Sequence, residues 1–142
     1  MKCEELMKKD VLLVEEGDTI QEAACRMRDA NVGFLPVCDH DGKAIGTLTD
    51  RDIAIRVDAD GRAASSCRVG EVMTRAVIAC LPDDDLTRAE QLMSEHKKSR
   101  LLVTGADGVL EGVLSISDIV QFEGGRRAAA TLRQVMSRET HF

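Results

Sequence analysis

Residues 34–54, FLPVCDHDGKAIGTLTDRDIA, and residues 100–120, RLLVTGADGVLEGVLSISDIV, are one pattern written twice. Displaced by 66 positions, the chain aligns with itself without a gap from Leu6/Val72 to Ala54/Val120. Identical pairs include Met7/Met73, Val11/Val77, Ala23/Ala89, Met27/Met93, Leu35/Leu101, Val37/Val103, Gly46/Gly112, Leu48/Leu114 and Asp52/Asp118. The matches fall on apolar and glycine positions, where packing selects the residue, so they mark an internal duplication.

Each copy reads the same way. Val11 to Val14 and Val77 to Leu81 are short apolar runs suited to buried strands. Ile20, Ala23, Ala24 and Met27, matched by Leu86, Ala89, Leu92 and Met93, repeat at helical spacing and give one apolar face. Thr19 and Asp85 precede these helices as N-caps. FLPVC and RLLVT then read as strands, and Asp41-Gly42 and Asp107-Gly108 as hairpin turns. The returning strands, Lys43 to Leu48 and Val109 to Leu114, run into helices opening at Thr49 and Ser115. A unit this small buries only about 60% of its unfolded surface, so two of them are expected to pack their sheets together into an α+β fold. The divisions are repeat 1 over residues 1–57, a polar linker over 58–68, repeat 2 over 69–123 and a helical tail over 124–142. Gly124-Gly125 ends the preceding helix, and the Ala- and Arg-rich tail forms one more, with Leu132, Val135 and Met136 as its apolar stripe.

Composition removes several function classes. The 142 residues carry a formal net charge of −6, with 2% aromatic residues and no Trp or Tyr. That leaves neither a basic surface for phosphate backbones nor a platform for base stacking, so no nucleic-acid partner is expected. No apolar run approaches a membrane span, and MKCEELMKKD has acids where a signal peptide is apolar, so a cytoplasmic protein is expected. Five cysteines without a C-x-x-C read as reduced thiols, with Cys38 and Cys80 as buried filler. His40, His96 and His141 fall in a turn, a basic run and the tail. With no Ser-His-Asp or Cys-His arrangement, metal cluster or phosphate loop in the sequence, catalysis is not expected.

The chemistry concentrates where the second hairpin strand meets a helix. GTLTDRD (Gly46 to Asp52) and GVLSISD (Gly112 to Asp118) each place a hydroxyl at the junction and a carboxylate three residues later. Thr49-x-x-Asp52 and Ser115-x-x-Asp118 approximate capping boxes, which is one reading. The other is a ligand site. A carboxylate only accepts hydrogen bonds, so Asp52 and Asp118 suit ribose hydroxyls, and a helix start favours phosphate. Thr49, Ser115 and Ser117 are donors to sugar or phosphate, and Arg51 pairs with a phosphate or a local acid. Arg100, the last residue of the basic run HKKSR and the first of its strand, is a second phosphate candidate. Repeat 1 has Asn31-Val32-Gly33-Phe34 there, so two sites would be chemically unequal.

The duplicated unit, the VGFLPV and SRLLV strands and the G-x-x-[ST]-x-x-D endings resemble a tandem pair of CBS domains, the family named after cystathionine β-synthase, in its stand-alone bacterial form. The resemblance covers about residues 1–123. It implies two β-α-β-β-α repeats with pseudo-twofold symmetry, associating as a homodimer. It also implies a regulatory, non-enzymatic module. An adenosine-containing ligand (AMP, ADP, ATP or S-adenosylmethionine) would bind in clefts between the repeats, and an effector protein would read the change. No other cofactor is implied. Carried over by position, Asp52 and Asp118 take the ribose, with Thr49, Ser115 and Ser117 in support. Gly33, Phe34, Ser99 and Arg100 lie along the ligand, Arg100 on phosphate, while Leu12 and Ile78 flank the adenine at the start of each first strand. Phe34 either stacks on the base or blocks its cleft. The alternative is a dimerisation or interaction module without a small-molecule ligand.

Overall fold

The computed structural model describes residues 1–123 and 125–137. Gly124, half of the expected helix stop, and the last five residues, His141 among them, lie outside the described residues. In chain order the elements are α1 (Cys3–Leu6), β1 (Val14–Glu15), α2 (Ile20–Ala30), β2 (Phe34–Cys38), β3 (Ala44–Thr49), α3 (Asp50–Ile53), α4 (Val69–Val72), β4 (Ala79–Cys80), α5 (Leu86–His96), β5 (Arg100–Thr104), β6 (Leu110–Ser115), α6 (Ile116–Glu123) and α7 (Arg126–Met136). A π-helical turn (Ala54–Asp58) continues α3, and a short 3-10 turn (Ala64–Ser66) precedes α4.

The strands of both hairpins form where expected, and their turns follow from one residue each. Gly42 and Gly108 have φ of 80° and 86°, a left-handed conformation that glycine adopts without a Cβ penalty. Their amides donate to the carbonyls of Asp39 and Gly105, and the ladders shift register just before the turns. Each hairpin therefore closes through a turn ending in a left-handed glycine, rather than through a two-residue loop. Thr19 and Asp85 cap α2 and α5 through their side chains, as their positions predict. Ile20, Ala23 and Met27, and likewise Leu86, Ala89, Leu92 and Met93, face their cores, whereas Ala24 is only half-buried.

The chain forms two compact units whose boundaries cut across the repeats. One is Leu12–Val77; the other is Met1–Val11 together with the chain from Ile78 onward. In the first unit β1 runs parallel to β2, and β2 antiparallel to β3. The free edge of β3 is then occupied by the stretch that follows α4: Thr47 and Thr74 exchange both backbone hydrogen bonds at 2.9 Å. The second unit repeats this with β4, β5 and β6, and Lys8 and Val113 exchange bonds of 2.9 and 3.0 Å. Residues 8 and 74 are repeat equivalents. Each sheet is thus completed by the segment that leads into the other repeat.

Gly46 and Gly112 are where that segment crosses. A Cβ at Gly46 would lie 2.2 Å from the Thr74 carbonyl oxygen, and one at Gly112 would lie 2.8 Å from that of Lys8. The group these glycines admit is therefore the chain itself. The exchanged segments also feed the cores: Val69, Val72 and Met73 join Val14, Leu35, Val37 and Leu48, while Cys3 joins Cys80, Leu101, Val103 and Leu114.

The structure corrects two expectations about apolar runs. Val11 to Val14 and Val77 to Leu81 are not buried strands; each pairs over two residues only, and Leu12, Leu13, Val77 and Leu81 are exposed. The chain passes from one unit to the other within these runs, so most of their residues have no ladder partner. The stretch 58–68 is pinned at its end, where Cys67 is buried and its carbonyl accepts from Ile20 N–H at 2.8 Å. Of the expected tail stripe only Val135 is buried; Leu132 and Met136 are exposed, and Thr131 takes the second packed position.

Four-residue spacing puts Arg127, Thr131 and Val135 on one side of α7, over α5. Arg127 forms an ion pair with Glu90 of α5 at 3.0 Å and also contacts Glu123, while Thr131 Oγ1 donates to Glu90 at 3.4 Å. Glu90 is 3% exposed and its Oε1 has no hydrogen-bond partner. Burial therefore pushes its carboxyl above the usual value of 4.5, against the opposing pull of Arg127 and Thr131.

Two predictions follow from these contacts. Gly112→Ala forces the Lys8 backbone aside and should cost about 1–3 kcal/mol in urea denaturation; an unchanged midpoint would contradict the close approach. The folded chain holds the Glu90 proton more tightly than the unfolded chain does. That contribution is therefore whole below pH 4.5 and is lost as pH rises through the folded-state value. The stability of the wild type relative to Glu90→Gln should accordingly decline with rising pH from there; parallel profiles would refute the assignment.

Candidate functional site

Both units build the same junction where the two ends of the hairpin meet. Register pairs the first residue of the hairpin with its last, Phe34 with Thr49 and Arg100 with Ser115. The next amide bonds across the same gap: Asp50 N–H donates to the Gly33 carbonyl at 2.9 Å, and Ile116 N–H to that of Ser99 at 2.8 Å. Gly33, Phe34, Thr49, Arg51 and Asp52 thus meet at one end of the first unit, and Ser99, Arg100, Ser115, Ser117 and Asp118 at the corresponding end of the second. Leu12 is 48% exposed and precedes the first ladder pair, Val14 with Val37, by two residues. Ile78 is half-buried against its core, and its carbonyl accepts from Leu102 N–H at 3.4 Å.

The hydroxyl–acid pairs are capping boxes. Thr49 N–H donates to Asp52 Oδ2 at 3.0 Å and Asp52 N–H to Thr49 Oγ1 at 3.1 Å. Ser115 and Asp118 make the equivalent bonds at 3.2 and 3.1 Å. These satisfy amides that a helix start leaves without partners. Each carboxylate spends Oδ2 on its cap, and its Oδ1 faces a cation. Arg56 Nε lies 4.0 Å from Asp52, and Lys8 Nζ lies 3.8 Å from Asp118. The Asp52 and Asp118 side chains are only 13% and 16% exposed.

The two ends differ in charge. In the second unit the exchanged segment delivers Lys8, Arg100 stands at the strand start, and the Ser115 and Ser117 hydroxyls are 2.9 Å apart. In the first, the Asp50 carboxylate lies over Gly33, within 2.5 Å of where a Cβ would be, and also accepts from Arg51 N–H at 2.8 Å. Sequence reasoning missed Lys8, Arg56 and Asp50. Arg56 was legible as the i+4 partner of Asp52; Lys8 arrives only through the exchange, which no local pattern announces. Two open surface hollows lie elsewhere, one lined by Glu4, Glu5, Met7, Lys9 and Glu111, the other by residues of α2 with Thr19 and Ser65. Among the described residues no three His, Cys, Asp or Glu side chains converge as a metal site. No helix of the described chain is long and apolar enough to cross a membrane.

The family model of the CBS domain matches twice, over residues 3–59 and 69–125. The chain belongs to the CBS domain family. Its duplicated α+β fold with a C-terminal helix is that of a CBS pair. The CBS domain-containing protein YhcV of Bacillus subtilis (strain 168) is 35% identical over 136 residues, which span 95% of each chain. Among solved structures, Hypoxic Response Protein I with two coordinated zinc ions matches at TM-score 0.79 and 30% identity, covering 86% of this chain and 98% of that one. The CBS domain pair of protein MJ0100, in complex with 5′-methylthioadenosine and S-adenosyl-L-methionine, matches at TM-score 0.77 and 26% identity, covering 88% and 97%.

Proposed function

We propose that this CBS pair is a non-enzymatic regulatory module that senses an adenosine-containing ligand and passes the result to a separate effector protein. The observation that carries the reading is the hydroxyl–acid pair at the start of a helix, kept in both units with Oδ1 of each acid outside the cap. A carboxylate oxygen so held suits a ribose hydroxyl, and a charge-assisted bond of this kind contributes about 1.5–3 kcal/mol. The complex of the MJ0100 pair with two adenosine derivatives supports the ligand class. Lys8, Arg100 and the two serines make the second unit the better end for a phosphorylated ligand, whereas Asp50 and Phe34 leave the first unit less suited to one. The ligand acts by favouring one arrangement of the chain, or of a homodimer in the cytoplasm, over another, which requires unequal affinity for the two.

A second reading is favoured by the caps themselves. Both acids already satisfy helix amides, and neither surface hollow described above is lined by a candidate residue. On that reading the chain is a dimerisation or interaction module, and the acids only stabilise helices.

Titration calorimetry with AMP, ATP, 5′-methylthioadenosine and S-adenosylmethionine separates the two. Sensing predicts a dissociation constant in the micromolar range, about −8 kcal/mol, for at least one of them. Asp118→Ala should weaken a phosphorylated ligand at least about tenfold, the loss of one such bond. No heat, and no ligand-dependent rise in thermal midpoint for any of the four, would leave the interaction module standing.

A further inference from the structure

Cys3 and Cys80 lie at positions where the duplication offers an internal comparison. Cys3 opens α1, and its repeat equivalent is Val69, the first residue of α4. Cys80 ends β4, and its equivalent is Val14 of β1. Val69 and Val14 are fully buried in the core of the first unit. The same place in the second unit holds two thiols, 0% and 3% exposed, in one core cluster. Packing there needs only two apolar side chains, so the sulfur atoms exceed what the fold requires.

Cys3 N–H donates to the Asp84 carbonyl and Glu4 N–H to that of Pro82, both at 2.9 Å, which ties α1 to the chain just beyond Cys80. The Cys3 thiol donates to the Asp85 carbonyl at 3.8 Å. The neighbouring Cys80 thiol holds the Cys3 thiol below its usual range, while Cys3 and burial together push Cys80 up.

We propose that Cys3 and Cys80 are a reversible dithiol–disulfide site that ties the exchanged N-terminal segment covalently to the second-repeat unit. A small-molecule disulfide such as oxidised glutathione is the oxidant. When α1 lifts, Cys3 thiolate attacks one glutathione sulfur; a mixed disulfide forms and one glutathione thiolate leaves. Cys80 then loses its proton to solvent and attacks the Cys3 sulfur, expelling the second glutathione thiolate. Two protein thiols are oxidised, one disulfide is reduced to two thiols, and no other co-reactant enters. The bond closes a loop from residue 3 to residue 80, which constrains the unfolded chain and stabilises the folded one.

The test treats the full chain with oxidised glutathione, counts thiols after denaturation and maps the linked peptides. The expected result is loss of two of the five thiols, one Cys3–Cys80 peptide pair, and a thermal midpoint raised by several degrees that reductant reverses. The Cys3→Val/Cys80→Val variant copies the Val69/Val14 pair, should fold, and should show no such shift. Retention of all five thiols would overturn the proposal. So would a bond between chains, glutathione held on the half-buried Cys25 alone, or the same shift in the valine variant.

Discussion

Two short backbone pairings, Lys8 with Val113 and Thr47 with Thr74, constrain everything else in this molecule. A three-stranded sheet with a bare edge leaves amides and carbonyls unpaired along β3 and β6. Here each edge is covered by a segment whose sequence belongs to the other repeat. The pairing requires glycine at 46 and 112, because a side chain would meet the incoming carbonyl. It also draws α1 and α4 into cores they do not adjoin in sequence. Neither copy of the duplicated unit is complete on its own. That accords with the small surface a unit of this size buries alone.

The exchange also makes the two units chemically different. Lys8 reaches Asp118 because the N-terminal segment crosses to the second-repeat unit; its equivalent, Thr74, brings no charge to Asp52. Cys3 joins Cys80 in one core by the same route, while Val69 shares its core with Val14. The repeated hairpin thus carries Lys8 and Arg100 beside Asp118 in one unit, and Asp50 and Asp52 beside Arg51 and Arg56 in the other. Each acid gives one oxygen to the helix it starts, where a negative charge contributes about 0.3–1 kcal/mol, and keeps the other outside the cap, so the proposed ligand role calls on the second oxygen alone.

Much of this was legible before any coordinates. The hairpins, their left-handed glycines and the caps at Thr19, Asp85, Thr49 and Ser115 follow from local rules acting on a few residues. Register then delivers Gly33, Phe34, Ser99 and Arg100 to the helix starts without further information. What failed depended on contacts distant in sequence. Leu12, Leu13 and Val77 read as buried strand because apolar character suggests burial, yet the chain changes units there and leaves them exposed. Leu132 and Met136 read as the packed face of α7, but Thr131 and Val135 pack there instead, with the exposed Arg127 guanidinium paired to buried Glu90. Gly46 and Gly112 are legible as a repeated pair, but that the backbone at Thr74 and Lys8 crosses them follows only from the exchange.

Sensing as proposed requires Asp118 to serve its helix and a ribose at once. A crystal structure of the full chain with AMP bound tests that most directly. The ribose hydroxyls are expected within hydrogen-bonding distance of Asp118 Oδ1, with Oδ2 still on Ser115 N–H and the phosphate between Lys8 and Arg100. A ligand bound away from Asp118, or an Asp118 whose two oxygens both remain on protein groups while the ligand is present, would contradict it.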